Sequence, residues 1–107
     1  MIGSIVTVTV DRPRGSRHPE YPNLYYPIPY GYVKGVPGGD GEDQDAYLLG
    51  VEEDREEFVG EVIAIIHRRN DVEDKWVVAP KGMRFGKEEI LAETAFQEQY
   101  FEIEIET

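Results

Sequence analysis

The chain has 107 residues, which fits one domain, and its small size favours self-association as a homo-oligomer to complete the core. Its 40% hydrophobic and 11% aromatic content excludes a disordered chain, and the lack of cysteine excludes disulfides, thiol catalysis and zinc-thiolate sites. The net charge of −11 argues against nucleic acid as a partner, and no run is long and apolar enough to span a membrane, so a soluble cytoplasmic protein is expected.

Ile5–Val10 alternates, with Val6, Val8 and Val10 on one face, and predicts a half-buried strand. Pro13 and Gly15 then break it. Residues 18–37 are dense in proline and tyrosine, which predicts extended or looped chain without a central strand. Such tyrosines suit a cleft wall or the stapling of a loop to a small core. Lys34–Gly41 reads as a turn-rich loop and Asp45–Gly50 as a strand. Gly60–Arg69 and Lys75–Ala79 predict a hairpin around the polar turn Asn70–Asp74. Lys87–Gln99 predicts a helix, with Glu88 and Glu89 in its first turn and Ile90, Leu91, Thr94, Ala95 and Phe101 as an approximate apolar stripe. Phe101–Thr107 alternates apolar with Glu and predicts a terminal strand. The fold class expected is mainly β (α+β), a small barrel or sandwich of five or six strands flanked by one helix.

The chemistry concentrates between Asp40 and Asp45. Asp40, Glu42, Asp43 and Asp45 place four carboxylates within six residues, and such a cluster needs water or cations. Mg²⁺ favours oxygen ligands and often holds a substrate phosphate. Asp40 and Asp45 bracket a tight turn and can face one cation, with Glu42 in reach of a water on it. A second acidic turn, Asp71, Glu73 and Asp74, meets the first if the hairpin folds back beside Asp45–Gly50. Acidic turns are also commonly just solvated. Charge is uneven: +2 up to Gly39 and −13 beyond it, which suits an anion held by metal ions and equally a self-complementary surface. An EF-hand starting at Asp40 fails because Asp45 stands where glycine is required, and no P-loop, HExxH or GxSxG pattern is present. His67, at the end of an apolar strand, reads as structural.

The block Tyr26-Pro27-Ile28-Pro29-Tyr30-Gly31-Tyr32-Val33, followed after a short loop by Asp40-Gly41-Glu42-Asp43-Gln44-Asp45, resembles the double signature of soluble (family I) inorganic pyrophosphatases. The segments Val10–His18, Lys75–Pro80 and Phe96–Tyr100 are also similar to that family's. The resemblance implies a five-stranded OB-like β-barrel with a C-terminal helix, hydrolysis of pyrophosphate by metal-activated water, and Mg²⁺ (or Mn²⁺) as cofactor. It implies Asp40, Asp45 and Asp74 (or Glu73) as metal ligands, with Asp71 (or Asn70) and Asp11 as further ones. Glu42 is implied as the base, supported by Tyr30. Lys75, Tyr100, Tyr26 and Arg17 are implied on the substrate side. The chain departs from the family by lacking three cationic phosphate ligands, and Arg12, Arg14 and Arg17 stand near enough in sequence to compensate. The alternatives are a hydrolase of another phosphate ester or anhydride, and a non-catalytic metal- or phosphate-binding protein or assembly subunit.

Overall fold

The computed structural model describes residues 1–107. Six strands and one helix run in the order β1 (Ile5–Arg12), β2 (Tyr30–Pro37), β3 (Asp43–Leu48), β4 (Glu57–Arg68), β5 (Asp74–Ala79), α1 (Lys87–Glu98) and β6 (Ile103–Glu106). Strands β1, β2, β3, β5 and β4 pair in that order, and β4 returns to pair β1, so five strands close a barrel. The β3–β5 pair is parallel and the other pairs are antiparallel. β6 lies outside the ring, against the C-terminal half of the 12-residue β4. This is the expected OB-like barrel with its C-terminal helix.

One element differs from expectation. Tyr30–Pro37 is a full strand, hydrogen-bonded to β1 on one side and β3 on the other. Its prolines flank it rather than interrupt it: Pro27 and Pro29 precede the first residue, and Pro37 closes the strand after a register break. Proline without an N–H is tolerated at those positions. The turn-rich loop therefore begins at Gly38, not Lys34.

Strand alternation splits the buried side chains into two groups. Val8, Val33, Ala46, Leu48, Val62 and Val78 draw on all five barrel strands and fill its interior. Tyr47, Ala64, Ile66, Val77 and Ala79 point the other way and are covered by α1 through Ile90 and Phe96. The helix buries Ile90, Thr94 and Glu98 at four-residue spacing; Leu91, expected in the stripe, is 48% exposed. Its start is capped by Glu89, whose Oε1 accepts from the Gly86 N–H at 3.0 Å.

β6 is tied to the sheet edge by His67. Nδ1 meets Asp74 Oδ2 at 2.9 Å and Nε2 meets Glu106 Oε1 at 2.8 Å, so both ring nitrogens donate in the imidazolium form. The Glu106 bond, opposed by slight burial and helped by Asp74, raises the His67 pKa above its ordinary value. A raised folded-state pKa stabilises fully below the unfolded value of about 6.5, and that stabilisation is lost as pH rises through the folded value. Thermal melts should therefore fall by a few degrees as pH is raised from about 6 to beyond the folded-state pKa. His67→Gln should flatten that part of the profile; an unchanged profile in the variant would assign the slope elsewhere.

Candidate functional site

Two glycines let the acidic turns and strands approach. A Cβ on Gly31 would stand 1.9 Å from the Thr9 carbonyl oxygen, so β2 can lie close on β1 only with glycine there. A Cβ on Gly39 would likewise stand 1.9 Å from the Val72 carbonyl oxygen, so the loop before β3 packs directly on the turn before β5. The acidic turns thus meet, as the folded-back hairpin requires.

Beside this junction a cleft of about 850 Å³ opens between the barrel wall, the 18–24 loop and the C-terminal end of α1. Its floor is organised by Lys75, which is 3% exposed. The ammonium donates to Asp45 Oδ2 at 2.6 Å, Glu73 Oε2 at 2.9 Å and the Tyr30 hydroxyl at 3.0 Å. Burial works against the Lys75 charge, but Tyr30 and Asp45 outweigh it and hold the ammonium above its usual range. Burial likewise raises the Tyr30 phenol, which stays protonated at neutral pH. Asp11, also on the cleft, has its carboxyl raised by burial against the pull of Arg12, with the Asp45 charge adding to the rise. The Glu73 and Asp40 carboxyls influence one another across the junction of the two turns. The neighbouring Asp40, with burial, raises Glu73 against Lys75, and Glu73 together with the Glu42 N–H lowers Asp40.

The structure brings Asp11, Tyr26, Tyr30, Asp45, Lys75 and Tyr100 to this cleft; Asp40 does not line it and stands in the adjoining turn, accepting from the Glu42 N–H. It separates others. Asp74 lies on the face of β5 opposite Lys75 and binds His67; Glu73, two residues before Lys75, shares its face, so Glu73 takes the position at the floor. Asp71 is engaged by Arg68 Nη1 at 3.0 Å and by the Val72 N–H. Glu42 opens onto a second hollow with Tyr32, Asp43 and Asp45, of which only Asp45 also lines the cleft. Tyr30 serves Lys75 and makes no bond to Glu42. Arg17 donates to the Pro22 carbonyl and lies against the Tyr25 ring, and Arg14 donates to the Val51 carbonyl. Of the three nearby arginines only Arg12 lines the cleft, and its buried Nε has no partner.

Arg68, Gln97 and Glu98 were not among the expected site residues. Arg68 holds Glu98 with two bonds, Nε to Oε1 at 2.9 Å and Nη2 to Oε2 at 2.6 Å, and packs its guanidinium 3.7 Å from the Phe101 ring centre. The Tyr47 hydroxyl donates to Glu98, Gln97 Nε2 donates to Tyr47 at 2.7 Å, and Tyr26 donates to Gln97 Oε1 at 3.0 Å. This chain of bonds fixes the helix end against the floor. Arg68 follows Ile66 at the two-residue strand period, and Glu98 follows Thr94 at the four-residue helix period, so spacing alone could have placed both facing inward.

The donor set suits a hard cation. Asp45 and Glu73 each use one oxygen on Lys75 and keep the other, and Asp11 and Glu73 hold protons more tightly than usual. No three carboxylates or histidines converge to form a cage. Mg²⁺ is commonly bound by one or two carboxylates with retained waters, and paired acids of this kind fit it.

No protein-family model matches the sequence, and no curated protein matches it. Solved structures do. An inorganic pyrophosphatase from Neisseria gonorrhoeae superposes with a TM-score of 0.69 at 19% identity, over 92% of this chain and 74% of that one. One from Ehrlichia chaffeensis gives 0.65 at 14%, over 99% and 87%, and one from Helicobacter pylori 0.64 at 15%, over 99% and 86%. The chain shares their fold.

Proposed function

We propose that the chain hydrolyses inorganic pyrophosphate to two phosphates with Mg²⁺, Mn²⁺ serving in its place. The observation that carries this reading is the floor of the cleft: a buried lysine held by Tyr30 between Asp45 and Glu73, in a fold shared with inorganic pyrophosphatases. Asp45 and Glu73, with Asp40 nearby, would hold the ion. Mg²⁺ supplies charge neutralisation of phosphate oxygens and a more acidic water.

Lys75 and Arg12 contact the phosphate oxygens, and Tyr30 keeps the Lys75 ammonium in place. Tyr100 stands at the mouth and Tyr26 anchors the wall through Gln97. Water attacks one phosphorus, the bond to the bridging oxygen breaks, and the departing phosphate keeps that oxygen. Asp11 takes the water's proton, because it lies on the cleft with raised proton affinity, whereas Glu42 lies outside it.

Phosphate release from pyrophosphate with Mg²⁺ tests the reading. Asp45→Asn should lower the rate by on the order of 100-fold or more, and Glu42→Gln by far less. No release above the Asp45→Asn level would sink it. The cytoplasmic location and the homo-oligomeric state expected from the sequence belong to the same reading, and light scattering tests the latter.

A further inference from the structure

The cleft has two chemically different ends. Asp11, Arg12, Asp45, Glu73 and Lys75 form the polar floor described above. The mouth is lined by the 18–24 loop and by Tyr100 and Phe101, which follow the C-terminal end of the helix. Tyr21 and Tyr100 there are 65% and 70% exposed, large rings left in water at the mouth of a cleft. Tyr21 is nevertheless held: its ring packs 4.9 Å from that of His18, and the His18 Nδ1 accepts the Glu20 and Tyr21 N–H groups at 3.0 and 3.3 Å. Clefts of about 300–1,000 Å³ hold drug-sized ligands, and pyrophosphate is far smaller than that.

The floor is also short of uncommitted positive charge. Lys75 is matched by Asp45 and Glu73, and Arg68 by Glu98 and Asp71. Arg12 is paired with Asp11 at 3.5 Å and keeps only its buried Nε–H without a partner. Esterifying one end of pyrophosphate removes an ionisable oxygen, so such a substrate asks for less cationic charge and brings an organic group to the mouth.

Resting on the hydrolase reading of this site, we infer that the substrate class is a pyrophosphate monoester whose organic end carries a planar ring, a nucleoside diphosphate in the simplest case, with the ring stacked on Tyr21. The water oxygen bonds to the terminal phosphorus as the bond from that phosphorus to the bridging oxygen breaks. The nucleoside monophosphate leaves with the bridging oxygen and its electron pair, and the water's proton passes to Asp11.

The test compares phosphate release from pyrophosphate, methyl diphosphate and ADP, each with Mg²⁺. The expected result is a higher kcat/KM for ADP than for either ringless substrate. Stacking a base on an aromatic ring is worth about tenfold in affinity, so Tyr21→Ala should lower the ratio of ADP to pyrophosphate efficiency by about that factor. ADP no better than methyl diphosphate, or an unchanged ratio in Tyr21→Ala, overturns the inference and leaves pyrophosphate hydrolysis standing. Phosphate from none of the three overturns both.

Discussion

Lys75→Met is expected to lose on the order of 100-fold or more in pyrophosphate hydrolysis while binding Mg²⁺ more tightly than the unaltered chain. The two effects have one origin. In the native floor the ammonium sits 2.6 Å from Asp45 and 2.9 Å from Glu73, so it already satisfies part of what a divalent ion would offer those carboxylates. Removing it leaves two acids facing each other across a nearly dry position, and each then favours either a proton or a cation. Ion titration by calorimetry reads the gain, and phosphate release reads the loss. Both acids are partly solvated, so the chain should still fold. A variant that binds Mg²⁺ more weakly would show that the ion does not sit on this pair, and a variant with native rates would remove Lys75 from the chemistry.

The second large effect concerns stability. Arg68→Met alone should cost about 3–5 kcal/mol, because it strands the buried Glu98 carboxylate, and Glu98→Leu alone somewhat less, because Arg68 keeps Asp71. The Glu98 side chain is fully buried and that of Arg68 is 4% exposed. Glu98 is also the last helical residue, at the negative end of the helix dipole, so without Arg68 its carboxylate is opposed by the dipole as well as by burial. In a domain of this size such a loss lowers the melting temperature by on the order of 10–20 °C or more. The double variant should recover much of that, since an apolar pair can fill the same volume without a desolvation cost. Urea unfolding of the four proteins measures the cycle. Single variants within about 1 kcal/mol of the unaltered chain would mean that water reaches the pair when one partner is removed.

How much was legible in the chain depended on which physical signal dominated each segment. The β4–β5 hairpin, α1 and β6 follow from simple periodicity and match to within a few residues. β2 was hidden because prolines gather at both its ends, and composition cannot separate flanking prolines from interrupting ones. In the acidic turn, Asp74 adjoins Lys75 and is for that reason on the other face, while Glu73 shares the lysine's side. The period-two rule contains that answer once Lys75 is taken as inward-facing. Glu42 is different: its position in the loop depends on the conformation of Gly38–Glu42, where no period applies. The Arg68–Glu98 pair was obscured by its polarity, since a charged residue at the end of an apolar stripe reads as solvent-facing until its partner across the fold is known.

The closure of the ring by β1 and β4 has a consequence for the route by which the chain folds. The β4–β5 hairpin joins neighbours in sequence, whereas β1 meets β4 across about fifty residues, Thr9 pairing with Glu57. Loop-closure entropy places local pairings ahead of distant ones. Glu73 and Lys75 therefore belong to the early hairpin, whereas Asp11 lies at the register break where β1 pairs β2 and joins them only once β1 has docked. Mutations in β4–β5 should slow refolding, and mutations along the β1–β4 seam should mainly speed unfolding. A partly folded chain would carry the lysine and its glutamate without Asp11, the proposed proton acceptor, so binding capacity should return during refolding before turnover does.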